Sequence, residues 1–210
     1  MSDHEIPLSR TALLLVDLQN DFLHPNGAYG RAGQTSAAAA ALPAHLAPLA
    51  KALRARGGMV VGTLFTLPPG RGGEPIISPH LLKLRPFLKK GDFVPGSWGQ
   101  AFVDELAPHV DSTVEKIAFS AFYMSRLEHV LRKCGIERLI AAGIVTNGGV
   151  ADRRGDAHVR DFDVTVLEDG CAAFSKEVHD AAIEGLRPVA RIASVAEVME
   201  EVLPLSPAAE

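Results

Sequence analysis

The chain has 210 residues, 47% of them hydrophobic and 22% charged, which is ordinary for a soluble globular protein and enough for one domain (1–210) with a full core. A net charge of -4 provides no basic stripe for nucleic acid, and no apolar run approaches the roughly 20 residues that cross a bilayer, so neither partner is expected. The opening MSDHEIPLSR lacks the apolar segment of a secretory signal, which makes the cytoplasm the default compartment.

Short runs rich in Val, Ile and Leu alternate with longer stretches of helical period, the pattern of βα units on a parallel sheet. TALLLVD (11–17) predicts the first strand, followed by an Ala/Leu-rich helix over 35–56 and a strand at MVVGTLF (59–65). The stretch 67–100 is dense in Pro, Gly and charge and reads as a long surface excursion. TVEK (113–116), an amphipathic helix over 124–134 and RLIAAGIV (138–145) come next. A helix over 148–160, DVTVLED (163–169), a helix over 176–186, ARIA (190–193) and a last helix complete the series. Continuous apolar strands require cover on both faces, so the expected fold is a three-layer α/β domain: a doubly wound, Rossmann-like sheet of about six parallel strands between helices.

Ligands of such sheets bind outside the carboxyl ends of the strands. The first strand finishes at Asp17, a carboxylate that follows four apolar residues and is therefore partly desolvated; capping the next turn is its alternative role. The third finishes at Lys116, which an apolar run leaves with few local partners. Paired across the sheet, Lys116 would hold Asp17 ionised and oriented, as acid/base sites require. Cys134 and Cys171 have no metal-site or disulfide spacing and read as small core residues. His24, His80, His109 and His158 are scattered without ligand spacing.

Three stretches, in order, resemble the signatures of the isochorismatase-like hydrolases, the cysteine hydrolase superfamily: LLLVDLQNDF, EKIAFSAF and AAGIVTNGGVADRRGDAHVRDFDVTVLEDGCAAF. The resemblance covers about residues 9–203. It implies the isochorismatase-like hydrolase fold, Asp17 and Lys116 as the catalytic pair, and a homodimer or homotetramer.

The departures from the family pattern bear on function. The amidase branch carries a nucleophilic cysteine where this chain has Gly149, so a covalent acyl-enzyme has no attacking atom. Thr146 and Ser120 are the nearby hydroxyls, and neither has an adjacent base in sequence. The nicotinamidase branch carries Asp-x-His after its second strand, whereas Phe65, Thr66 and Leu67 stand here, so neither metal nor other cofactor is expected. True isochorismatases also have glycine at the cysteine position and hydrolyse a vinyl ether by acid/base chemistry, although they use a glutamine near the place of Phe65. The family further places a non-proline cis peptide at Ile144–Val145, which aims the N–H groups of Val145 and Gly149 at one point as an oxyanion hole. Phe22, Phe65, Val145, Gly149 and Arg153 are then expected to line the substrate pocket. Arg153 lies on the helical face of Gly149 and could take a substrate carboxylate, but a surface pair with Asp152 or a subunit contact is its commoner role.

The expected function is hydrolysis of a small anionic metabolite by Asp17 and Lys116 without nucleophilic cysteine or metal. The alternatives are a catalytically silent relative kept as a small-molecule binder or partner subunit, and an amidase in which water attacks directly.

Overall fold

The computed structural model describes residues 6–150 and 156–203. Six strands form one parallel sheet: β1 (Thr11–Val16), β2 (Met59–Phe65), β3 (Ser112–Lys116), β4 (Arg138–Ile144), β5 (Asp163–Ala172) and β6 (Arg191–Ala193). Their order is β3-β2-β1-β4-β5-β6, so the winding direction reverses at β1, whose neighbours are β2 and β4. The carboxyl ends of β1 and β4 thus stand at the switch point where such sheets open a ligand crevice.

Alternation along β1 divides the core in two. Leu13 and Leu15 pack with Leu42, Leu46, Leu49 and Leu53 of the long helix Ala37–Ala55 and with Val198 of the helix Val195–Val202. Ala12, Leu14 and Val16 face the other layer, with Leu131 of Leu127–Lys133 and Ile183 of Lys176–Leu186. In chain order the helices are α1 (Asn20–Leu23), α2 (Ala28–Arg31), α3 (Ala37–Ala55), α4 (Pro79–Leu84), α5 (Leu127–Lys133), α6 (Lys176–Leu186) and α7 (Val195–Val202), with residues 156–158 also helical. Pro43 and Pro48 lie inside α3, and each forfeits one backbone bond. The Leu stripe on the sheet outweighs that loss, and the Ser36 side chain caps the helix by accepting from Ala39 N at 3.1 Å.

The strands lie where the apolar runs placed them: β1 and β4 each stop one residue sooner, at Val16 and Ile144, β3 begins at Ser112 and β6 at Arg191, and β5 is longer. β5 runs on to Ala172 across a register shift opposite Ala141 and Gly143, so Cys171 lies within the strand. Gly143 has φ 120, and a Cβ there would come within 2.3 Å of Val16 O, so only glycine lets β4 approach the end of β1 this closely.

The helix expected over 148–160 is instead preceded by a π-helical turn, Thr146–Val150; residues 151–155, with Arg153, lie outside the described residues. The excursion over 67–100 holds the short helix α4, started by Ser78 and Pro79, a cap-plus-proline signal that its dense Pro and Gly content masked. Among the described residues no helix is long and apolar enough to cross a membrane.

Candidate active site

Asp17 leaves β1 in the left-handed region, with φ 55, a conformation that aspartate tolerates better than most residues. Its backbone N–H donates to Thr63 O at 3.2 Å and its carbonyl accepts from Gln19 N at 2.8 Å, so the chain turns sharply at the strand end. The carboxylate is then aimed across the sheet rather than used as a cap. Lys116 Nζ stands 2.6 Å from Asp17 Oδ2, and Thr63 Oγ1 donates to Asp17 Oδ1 at 2.8 Å. Lys116 also donates to the carbonyls of Ala118 and Phe119, each at 3.2 Å. Its ammonium lies 5.6 Å from the centre of the Phe65 ring.

This pair floors a cavity of about 190 Å³. Of the pocket residues read from the sequence, Phe22, Phe65, Val145 and Gly149 line it together with Asp17 and Lys116. The Ile144–Val145 peptide is cis. At Gly149, a Cβ would lie 2.9 Å from Ile144 O, 3.1 Å from Val16 Cγ1 and 3.4 Å from Asp17 Oδ2. The position therefore abuts the carboxylate, and a hydrogen there leaves the Oδ2 side uncovered.

Among the described residues no cysteine lines this cavity: Cys134 is exposed beyond α5 and Cys171 is buried in β5. Thr146 Oγ1 and His179 Nδ1 are 2.8 Å apart, and Ser120 Oγ bonds the Asp156 carboxylate, so both hydroxyls are engaged elsewhere. No three His, Cys, Asp or Glu side chains among the described residues are grouped to hold a metal ion. At the end of β2, Thr66 Oγ1 accepts from Gln100 Nε2 at 2.7 Å and Leu67 is buried in an apolar cluster with Phe93, so neither offers a ligand.

Several residues that shape the site carry no local signal. Gln19, fully buried, donates to Phe65 O at 3.0 Å and Gln100 O at 2.8 Å and accepts from Phe65 N at 2.7 Å. Asp21 accepts from Ala28 N at 2.9 Å and Phe93 N at 2.7 Å. These bonds tie the 67–100 excursion to the end of β1 and carry Ile77, Leu81 and Arg85 to the cavity wall. Tyr29 and Phe174 close other sides, their rings stacked 5.7 Å apart at 3°. Burial pushes the Tyr29 hydroxyl above its ordinary pKa, partly opposed by the Arg85 guanidinium beside it.

The isochorismatase domain family matches residues 11–200. The chain is similar to ureidoacrylate amidohydrolase RutB of Pantoea ananatis, 32% identical over 170 residues that cover 76% of this chain and 68% of the relative. RutB of Azorhizobium caulinodans is 30% identical over 189 residues, 85% of this chain and 83% of the relative. In fold it resembles a cysteine hydrolase from Pseudomonas syringae pv. phaseolicola, with a TM-score of 0.80 at 24% identity over 94% of each chain. Nicotinamidase PncA of Bacillus subtilis superposes with a TM-score of 0.70 at 24% identity, covering 88% of this chain and 99% of its own. Both the span of the family match and the order of the strands around Asp17 and Lys116 lead to one assignment: the chain belongs to the isochorismatase family of hydrolases.

Proposed function

We propose that the protein hydrolyses a small anionic metabolite without a covalent intermediate, with Asp17 moving protons between water and substrate and Lys116 holding its carboxylate in place. The observation that carries this reading is the 2.6 Å contact between Lys116 Nζ and Asp17 Oδ2 on the floor of the cavity. Keeping such a pair out of water is costly, and an inert fold could relax it to apolar residues. On a vinyl ether, Asp17 as general acid delivers a proton to the terminal carbon, and water captures the oxocarbenium ion and returns a proton to Asp17. The hemiketal collapses to a carbonyl as its hydroxyl proton passes to the leaving oxygen, so that Asp17 ends in its starting state. Gly149 supplies no side-chain nucleophile, and its hydrogen leaves room for substrate or water beside Oδ2. In this reading the N–H groups of Val145 and Gly149 stabilise charge on a substrate oxygen.

The relatives named ureidoacrylate amidohydrolase favour a second reading with the same residues, in which water attacks an amide carbonyl and Asp17 protonates the departing nitrogen.

The test is a panel of carboxylate-bearing vinyl ethers, ureido compounds and amides offered to the wild-type protein and to Asp17→Asn, with products read by mass spectrometry. At least one member is expected to be hydrolysed, and Asp17→Asn to lose about 10²- to 10⁴-fold of that rate. Ligands that raise the melting temperature yet are never turned over would assign the protein to binding rather than catalysis.

A further inference from the structure

We propose that Arg85 and Tyr29 form a carboxylate-recognition subsite in the cavity wall, and that the ligands of this cavity are small, flat, unsaturated or aromatic monocarboxylates. The proposal deepens the hydrolase reading and rests on it for which end of the ligand reacts.

Arg85 follows α4, its backbone N–H donating to Leu81 O at 3.0 Å and Leu82 O at 3.2 Å. Its side chain is half-buried and lines the cavity. The Nε donates to Tyr29 Oη at 2.6 Å, and the guanidinium carbon lies 5.7 Å from the centre of the Phe119 ring. No carboxylate among the described residues pairs with it, and its two Nη groups have no hydrogen-bond partner there. An arginine anchored through Nε presents those two Nη groups as an end-on fork, which matches the two oxygens of a carboxylate. Lys116, the other cation that lines the cavity among the described residues, is paired with Asp17, so among those residues Arg85 is the charge of the lining without an acidic partner.

Tyr29 completes the subsite. Its ring is fixed by stacking on Phe174 and by Phe22 at 4.8 Å, and it is 4% exposed. Because Oη already accepts from Arg85, its own proton is directed elsewhere and can be donated to a ligand oxygen. Among the described residues, one positive charge without an acidic partner and one hydroxyl donor suit a monoanion, and a phosphate dianion would leave charge unmatched there.

The body of the ligand follows from the walls. Phe22, Phe65, Phe119 and Phe174 surround the space between Arg85 and Asp17, and aromatic faces favour a flat π-system. At about 190 Å³ the cavity is smaller than the roughly 300–1,000 Å³ of drug-sized pockets, which limits the body to one ring or a short conjugated chain.

The probes are benzoate, 2-furoate and sorbate, each compared with its own primary amide by isothermal titration calorimetry on the full chain. The acids are expected to bind at least about 10-fold more tightly than the amides, and Arg85→Gln to weaken the acids by about 10- to 100-fold while leaving the amides unchanged. Arg85→Lys keeps the charge without the fork and is expected to lose most of the preference; Tyr29→Phe is expected to lose part of it. The paired variant Asp17→Asn/Lys116→Met removes the reacting groups without changing the net charge of the cavity, and is expected to keep the acid preference while hydrolysis disappears. That result separates the subsite from the catalytic reading. Equal binding of acid and amide, binding of neither, an undiminished preference in Arg85→Gln with its melting transition intact, or loss of the preference in the paired variant would each overturn the proposal.

Discussion

Lys116 Nζ lies 2.6 Å from Asp17 Oδ2 although the two residues end strands that are not neighbours, since β2 runs between β1 and β3. The contact is possible because both side chains project beyond the carboxyl edge of the sheet, over the end of β2, where Thr63 supplies a second donor to the carboxylate. The Lys116 and Asp17 side chains are 2% and 5% exposed, so each is the main charge partner that the other has in place of water.

Removing one partner therefore strands the other. Lys116→Met is expected to destabilise the fold by about 3–5 kcal/mol and Asp17→Asn by a comparable amount, as for other broken buried pairs. The double variant is expected to be more stable than the sum of the two losses implies, which urea unfolding would show. Strict additivity would mean that the pair is not coupled.

Gly149 is enclosed by Ile144 O and Val16 Cγ1, at 2.9 and 3.1 Å from where a Cβ would stand. Gly149→Ala forces the turn to shift against a backbone carbonyl, so a loss of about 1–3 kcal/mol is expected, together with lower turnover. A variant as stable and as active as the wild type would show that the turn yields freely.

Asp21 is 3% exposed and serves the N–H groups of Ala28 and Phe93. Asp21→Ala leaves both donors without an acceptor, which is expected to cost about 2–5 kcal/mol. Hydrogen exchange should speed up first around Phe93, because that bond holds the excursion wall against α1. Uniform exchange across the fold would argue against this local anchoring.

The Tyr29 hydroxyl loses its proton less readily in the folded chain than in the unfolded one, since burial outweighs the opposing Arg85 charge. As pH climbs past the ordinary tyrosine value of about 10, the unfolded chain ionises first. The stabilisation is thus fully present below that value and is lost as pH rises through the folded value. Tyr29→Phe is expected to flatten the alkaline decline of stability. Tyr123→Phe leaves Tyr29 as the remaining tyrosine; its absorbance titration at 295 nm should reach midpoint at higher pH in buffer than in urea.

The strands, their parallel arrangement and the two charged strand ends were legible because each rests on local pattern. Apolar runs of strand length bounded by turns need no distant partner to be recognised, and a charge that directly follows such a run stands out. Phe22, Phe65, Val145 and Gly149 were placed by resemblance, and they meet in one cavity. The short helix α4 went unseen because its cap and proline sit within a segment already dense in Pro and Gly.

What the sequence by itself determined is the α/β sheet, its order of elements, the presence of Asp17 and Lys116 at strand ends and a side-chain-free Gly149 in the turn that follows β4. Tertiary structure alone decided what those residues face. Gln19 and Asp21 are ordinary polar residues of a turn until Gln100 and Phe93, far along the chain, arrive as partners. Arg85 is one basic residue of a charged loop until Tyr29 accepts from its Nε and packing brings it to the cavity wall. Propensity and periodicity act over a few neighbouring residues, whereas a cavity and its charge balance arise from segments that meet only when the core is packed.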